Sequence, residues 1–550
     1  MTKQSSLERG VRLAASVTII GSLAALLALP SPIPGRAAPE FPASAPALTD
    51  VNPLGANFFL DREVEPWKRD VTVRMAKAAG IGWMKQMFRW EEIEPRKNYF
   101  IDDKFKVSTW KKYDEIVDLA QQYGLKIIAR IDRPPAWTRR DNRYPTAPPD
   151  NMEDYANFVQ SVVAHYKGRV HYYQIWNEPN LWPEWGDRPV DPAGYAAMLR
   201  MAYTKAKAVD PEVVILSAPL GQTVEDTKRN LSDLTYLDAL YRAGAKNYFD
   251  ILAANGYGFD APPDAPPDPG SLNFARLKLL RAIMVRHGDE AKPVWLNEFG
   301  WNASPAGYPP QKLVWGHVSE TQQAQYTVQA VRLARSWGWV GVMNTWFFRQ
   351  VGDIPVSRSD YFFRMVDTDF TPRRLFHSIQ ELSQELRIAG PGLHRATSAA
   401  VSPGPGWSEH PEPGGSLHRI VSGSQRDSRI SFRFQGSDLA IAVAGGSSPA
   451  RVKVVVDGGS PSFPTRLLGA NEELALPAAA SGLTAVPVVA GLSSGVHTVT
   501  LEQVSGDPWS LVTFSVESKT NLYPALALAG LAGLGASVLA ASLLRRRRTA

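Results

Sequence analysis

The 550-residue sequence predicts an α/β chain: a (β/α)8 barrel, then a small all-β sandwich of jelly-roll type, then a C-terminal transmembrane helix. Three observations carry this prediction. Between about residues 50 and 393, eight apolar runs of strand length alternate with stretches whose apolar residues recur every three or four positions. From 417 to 518 only short alternating runs occur, separated by turn signals such as Asp457-Gly458-Gly459 and Ser493-Ser494-Gly495. Residues 522–544 then form an uncharged segment of apolar and small side chains, long enough to cross the hydrocarbon core of a bilayer.

The elements follow in order. Lys3, Arg9 and Arg12 precede an apolar run over 13–29 and a Pro-rich stretch ending at Ala37 and Ala38. That is the pattern of a secretion signal, so 1–38 is either a signal peptide or a retained signal anchor. Residues 39–49, rich in Pro and Ala, read as a linker. Barrel strands are expected at 54–60, 83–89, 125–131, 170–176, 213–218, 251–256, 293–299 and 341–347. Helices expected between them include 110–123, 154–166, 193–208, 274–287 and 320–337. Ser, Pro and Gly dominate 394–416, which reads as a second linker before the sandwich at 417–518. Arg545, Arg546, Arg547 and Arg548 lie in the 545–550 tail and place it on the cytoplasmic side. Everything between the two termini is then exported and held at the cell membrane.

Composition excludes several classes. With no cysteine there is neither a disulfide framework nor a thiolate metal site. No His-Glu-x-x-His run or similar spacing occurs, so the chemistry is read without a metal or cofactor. The pI near 9.2 comes from the basic N-terminus and the four terminal arginines. The segment between is nearly neutral, which gives nucleic-acid binding no support.

Two stretches are built alike. Val170-His171-Tyr172-Tyr173-Gln174-Ile175-Trp176 runs into Asn177-Glu178-Pro179-Asn180, and Pro293-Val294-Trp295-Leu296 runs into Asn297-Glu298-Phe299-Gly300-Trp301. Proline cannot continue a buried strand, so Glu178 belongs at the lip where strand becomes loop. By strand count, Glu178 ends the fourth strand and Glu298 the seventh. A lone strand-end glutamate is most often a surface carboxylate. Two in matching Asn-Glu contexts, each with tryptophans nearby, point to acid/base chemistry on one substrate.

Trp176-Asn177-Glu178-Pro179 and Asn297-Glu298-Phe299-Gly300 resemble the acid/base and nucleophile motifs of clan A glycoside hydrolases. Within the clan the chain resembles families 39 and 5, including bacterial exopolysaccharide hydrolases, over about residues 50–390. The resemblance implies a retaining glycoside hydrolase with Glu178 as acid/base and Glu298 as nucleophile. It also implies that Asn177 binds the sugar's 2-hydroxyl, that Tyr257 donates to the nucleophile, and that Trp346 floors the −1 subsite. Arg89, at the end of the second strand, either keeps Glu298 ionised or forms a loop salt bridge. Asn255 stands where relatives often carry His. Trp137, Trp182, Trp185 and Trp301 are candidates for stacking on sugar or for loop packing, and Glu92 or Glu94 for anchoring the loop after strand two.

The expected partner is therefore a β-linked poly- or oligosaccharide. Two alternatives stand beside hydrolysis: a transglycosylase on the same fold, and a non-catalytic surface carbohydrate-binding protein. The sandwich is either a carbohydrate-binding module or a stalk. Sugar, linkage and endo or exo action depend on loops around Trp182, 262–269 and 305–309.

Overall fold

The computed structural model describes residue 46 and residues 48–518, apart from 306, 353–356, 412–418, 424–427, 445–447, 460–472 and 478–482. The leader at 1–38 and the segment 522–544 lie outside the described residues. Among the described residues no helix is long and apolar enough to cross a membrane.

Eight parallel strands alternate with eight long helices: β1 (Leu54–Phe58), α1 (Pro66–Ala78), β2 (Trp83–Arg89), α2 (Lys111–Tyr123), β3 (Lys126–Asp132), α3 (Met152–His165), β4 (Tyr172–Ile175), α4 (Pro192–Val209), β5 (Val214–Leu216), α5 (Asp233–Arg242), β6 (Leu252–Tyr257), α6 (Leu277–Arg286), β7 (Val294–Gly300), α7 (Glu320–Ser336), β8 (Val340–Thr345) and α8 (Arg374–Leu386). The strands pair in the order β5-β4-β3-β2-β1-β8-β7-β6, and a single parallel bridge between Leu216 and Ile251 joins β5 to β6. All seven residues of β7 are buried, as expected of a parallel strand covered on both faces.

Local chemistry sets the helix ends. Asn151 caps α3 through its side chain, Asp191 caps α4 ahead of Pro192, and Ser319 with Gln322 forms a capping box on α7. Gly124 closes α2 in the left-handed conformation, with φ 66°.

The base of the barrel is plugged by aromatic rings. Trp83, Tyr172 and Trp295, near the starts of their strands, pack with ring centroids 4.9–5.3 Å apart. The Trp295 indole donates to the Leu48 carbonyl at 3.1 Å and that of Trp83 to the Asn52 carbonyl at 2.8 Å, so the segment leading into β1 seals the plug. At Gly341 a Cβ would stand 2.2 Å from the Trp295 ring nitrogen, and only glycine lets the ring lie so close to β8. With the base filled, the open end is where the strands terminate and the loops begin.

After α8 the described residues form eleven antiparallel strands in two sheets. One sheet runs β10 (Val401–Pro403), β13 (Arg429–Gln435), β18 (Val496–Ser505), β15 (Ala450–Val456), β16 (Glu473–Leu476), and the other β11 (Trp407–Pro411), β12 (Arg419–Gly423), β19 (Trp509–Glu517), β14 (Asp438–Ala444), β17 (Thr484–Val489), with β9 (Gly392–Arg395) added against β19. Inward residues of both sheets, among them Phe432, Phe434, Ile441, Val454, Leu501 and Phe514, form one core. The stretch 394–416, expected as a linker, supplies the end of β9 together with β10 (Val401–Pro403) and β11 (Trp407–Pro411). The sandwich is joined to the base of the barrel. Asp50, just ahead of β1, accepts from the Arg395 backbone N–H at 2.8 Å, and Lys126, at the start of β3, pairs with Glu409.

Candidate active site

Glu178 follows β4 on a chain that turns sharply. Trp176 and Glu178 have φ of 72° and 40°, left-handed values that cost a non-glycine residue of order 1–3 kcal/mol each. The turn is held by the Glu178 N–H donating to the Pro219 carbonyl at 3.0 Å. It leaves the carboxyl half-buried at the mouth, where the Asn255 amide donates to Oε1 at 2.7 Å. Asn255, on β6, lies opposite Glu298 in the β6–β7 register, so one residue spans the space between the two glutamates.

Glu298 is held more deeply, at 5% exposure. Lys85 donates to Oε1 at 2.9 Å, Tyr257 donates its hydroxyl to Oε2 at 2.7 Å, and an Arg130 nitrogen stands 3.9 Å from Oε1. The neighbouring Asn297 donates to Gln174, while its carbonyl accepts from Asn57 at 2.9 Å and from Lys85 at 3.3 Å. Glu298 and Asn297 are thus tied to residues of β1, β2, β4 and β6.

The two carboxyls meet different electrostatic surroundings. Burial pushes Glu178 up to about 8, helped by the charges of Glu298 and Glu184 and opposed by Arg130 and Lys85. Glu298 is instead clasped by an ammonium and a phenol, both donors. Burial lowers the Lys85 ammonium, with Glu298 opposing the shift, and burial together with the Glu298 charge raises the Tyr257 hydroxyl well above its ordinary range. Tyr257 therefore stays a donor at neutral pH. Arg130 is disfavoured by burial but held firmly charged by Asp132, Glu298 and Glu184. One carboxyl is built to keep a proton and the other to receive hydrogen bonds.

The other expected residues divide. Asn177 is buried beside the acid, 3.4 Å from the Gln174 amide, and Trp346 is half-buried after β8 with its ring edge-on to Phe59 at 5.7 Å. Trp182 is 41% exposed on the loop after β4, with Tyr144 edge-on to it and the Arg229 guanidinium over its ring at 5.0 Å. Arg89 does not reach Glu298. It pairs with Asp61 at 2.7 Å and Glu91 at 3.3 Å, because it lies four residues along β2 from Lys85, about 13 Å at the rise of a strand.

Trp301 is not a mouth residue either. It is fully buried, its N–H donates to the Ala261 carbonyl, and a Cβ at Gly258 would collide with its ring. Trp185 is buried against Tyr195, and Trp137 packs edge-on to Trp90 with its N–H on the Glu94 carbonyl. Glu92 accepts from Tyr113 and Lys112, and Glu94 accepts from Trp90 and the Asn98 N–H, which fixes the loop after β2.

Sequence reading passed over Lys85, Arg130 and Glu184. Lys85 and Arg130 each interrupt an otherwise apolar run, in Trp83-Met84-Lys85-Gln86-Met87 and Ile127-Ile128-Ala129-Arg130-Ile131. A charge in such a run must be paired when the strand is buried, and that was the available signal. Glu184, half-buried on the loop after β4, is pushed up to about 7 by burial and by the nearby Asp132 and Glu298, against Arg130 and Arg133.

No protein-family model matches the sequence, and no curated protein matches it. Among solved structures the chain is similar to a family 39 glycoside hydrolase from the gut symbiont Bacteroides cellulosilyticus WH2, with 16% identity, 86% of this chain and 82% of that one covered, and a TM-score of 0.47. It is also similar to a monomeric β-xylosidase from Caulobacter crescentus CB15 (15%, 84% and 98%, 0.46) and to a glucosidase from Croceicoccus marinus (12%, 84% and 97%, 0.47). Identities this low tie the chain to none of their substrates.

Proposed function

We propose that this protein is a retaining glycoside hydrolase acting on a β-linked poly- or oligosaccharide outside the cytoplasm, attached to the cell membrane by 522–544. One observation carries the reading: two glutamates flank Asn255, Glu178 pushed up to about 8 by burial and Glu298 held by Lys85 and Tyr257. Such a division is what cleavage of a glycosidic bond requires.

Glu178 gives its proton to the departing oxygen while Glu298 attacks the anomeric carbon and forms a glycosyl ester. Asn255, bonded to Oε1, leaves Oε2 of Glu178 free to face the substrate. In the second half Glu178, now a carboxylate, takes a proton from water, and that water attacks the same carbon and releases Glu298. Two inversions retain configuration. The tryptophans Trp346 and Trp182 offer stacking faces for the sugar. Export and attachment are supported by the signal pattern at 1–38 and by the uncharged segment followed by four arginines.

The test is cleavage by the 39–518 segment, beside its Glu178→Gln variant, on a panel of β-linked polysaccharides, with products followed by mass and by NMR of the fresh anomer. The expected result is a product of retained configuration that the variant does not form. Products longer than the substrate would assign the chain to transfer, and binding without cleavage would assign it to carbohydrate recognition alone.

A further inference from the structure

Four arginines converge on the mouth from β2, β3 and the loops after β1 and β3: Arg62, Arg89, Arg130 and Arg133. Two of them are spent. Arg89 bonds Asp61 at 2.7 Å, and Arg130 bonds Asp132 at 2.6 Å. The other two have no carboxylate within 4 Å among the described residues.

Arg62 sits between two acidic neighbours in sequence that are both committed elsewhere. Asp61 is taken by Arg89 and by the Gln86 amide at 2.7 Å, and Glu63 by Arg349 at 2.5 Å. The Arg62 guanidinium lies exposed over the Phe59 ring, 5.0 Å from its centroid, and Phe59 in turn abuts Trp346. It therefore stands one ring beyond the floor of the catalytic pocket. Burial and the charges of Arg89, Arg133 and Arg130 all work against its charge, with Asp61 alone opposing them. Like charges gathered without a partner are relieved by an anion.

Arg133 follows Asp132 directly. Its backbone is left-handed, φ 59°, a state that costs a side-chain-bearing residue about 1–2 kcal/mol. The Glu91 N–H donating to its carbonyl at 2.8 Å holds it there, and its Nε is buried with no hydrogen-bond partner. A guanidinium carries its donors in a planar fork that matches a carboxylate.

We propose that Arg62 and Arg133 form a carboxylate-binding subsite next to the −1 floor, so that the β-linked glycan taken by this chain carries a uronic acid one sugar from the cleaved bond. The inference rests on the glycoside hydrolase reading for the position of the cleaved bond, but the anion site stands on its own geometry. The acidic groups facing it are Asp61, Asp132, Glu91 and Glu184. The first three are bonded to or flanked by Arg89, Arg130 and Arg139, and Glu184 lies nearer Arg130 and Arg133.

The experiment measures binding calorimetrically to the full-length chain in detergent, in the Glu178→Gln background. Glutamine copies the neutral acid, so the variant leaves the charge of the pocket as it is near pH 6. The probes are β-linked oligosaccharides containing glucuronate, galacturonate or mannuronate, each paired with its carboxyl-reduced counterpart. At least one acidic member should bind tenfold or more tighter than its reduced partner, with the difference shrinking as salt rises. Adding R62Q, whose exposed side chain makes no hydrogen bond or ion pair among the described residues, or R133Q should bring that member to the affinity of the reduced form.

Equal binding of acidic and reduced members throughout overturns the subsite, as does a preference that survives R62Q and R133Q together. A sulfated oligosaccharide preferred over every uronate overturns the choice of carboxylate. Hydrolysis is scored separately with Glu178 intact. Uronate binding without cleavage would sink the hydrolase reading and keep the subsite, and cleavage of neutral glycans alone would do the reverse.

Discussion

Lys85→Met removes the one ammonium in contact with Glu298. Lys85 is 2% exposed and Glu298 5%, so water cannot replace the lost donor without opening the barrel. Removing one partner of a buried ion pair costs about 3–5 kcal/mol, because the remaining charge is left uncompensated. Tyr257 stays on Oε2 and Arg130 remains at 3.9 Å, which places the cost near the lower end, about 3 kcal/mol. The penalty falls on the ionised carboxylate, the form that attacks. At about 1.4 kcal/mol per decade, kcat/KM near neutral pH should fall by about 100-fold.

The basic limb of the pH–rate profile moves up slightly, since Lys85 is one of the charges that restrain Glu178. The assay is initial rate against pH from about 4 to 9 for the wild type, K85M and K85R, on the best substrate from the panel, with thermal unfolding in parallel. K85R, which keeps a cation, separates charge from packing. A kcat/KM that K85M leaves within a few-fold of the wild type, with the fold intact, would show that Lys85 does not hold Glu298 ready for attack.

Other expectations follow from the same geometry. Glu178→Gln should slow cleavage of a sugar or alkyl leaving group by about 10²–10⁴-fold, yet leave an activated aryl leaving group, which needs no proton, much less affected; equal losses on both would remove Glu178 from the role of acid. In the wild type the protonated Glu178 is the working form, present below about pH 8, so kcat/KM should fall as pH rises through that value, and a flat profile from 6 to 10 would contradict it. Asn255→Ala frees Oε1 of Glu178 and should lower kcat by about 10–100-fold with a smaller change in KM, read from steady-state kinetics. Trp301→Ala should cost about 3–5 kcal/mol of stability in a melt, whereas Trp182→Ala should leave the melt unchanged and raise KM.

The parts legible in the sequence were those whose signal is local. Parallel strands buried on both faces read as continuous apolar runs, so all eight barrel strands appear within a few residues of their observed limits. The two Asn-Glu ends stood out because an ionisable residue closing such a run needs a reason. Which cation serves Glu298 was not legible, since Lys85 and Arg89 share one face of β2 and only the stagger of the barrel decides which meets β7. The choice between stacking and packing at Trp301 was open for a similar reason: its N–H meets the Ala261 carbonyl on the loop after β6, a contact that the motif beside it does not encode. The strands at Gly392–Arg395, Val401–Pro403 and Trp407–Pro411 looked like linker because short, polar edge strands share their composition with loops.

Both ends of the described chain leave from the same side. Leu48 lies under the aromatic plug, and β19 finishes beside β9, six residues after the end of α8. The five positions from Glu517 to 522 span at most about 18 Å when extended. With attachment at 522–544 as proposed, the cell surface is on the plugged side and the cleft opens away from it. A retained leader at 1–38 would add a second mooring on that same side rather than a competing one. On that proposal, processing of the leader would leave the aim of the cleft unaltered, and substrate would be met on the side away from the bilayer.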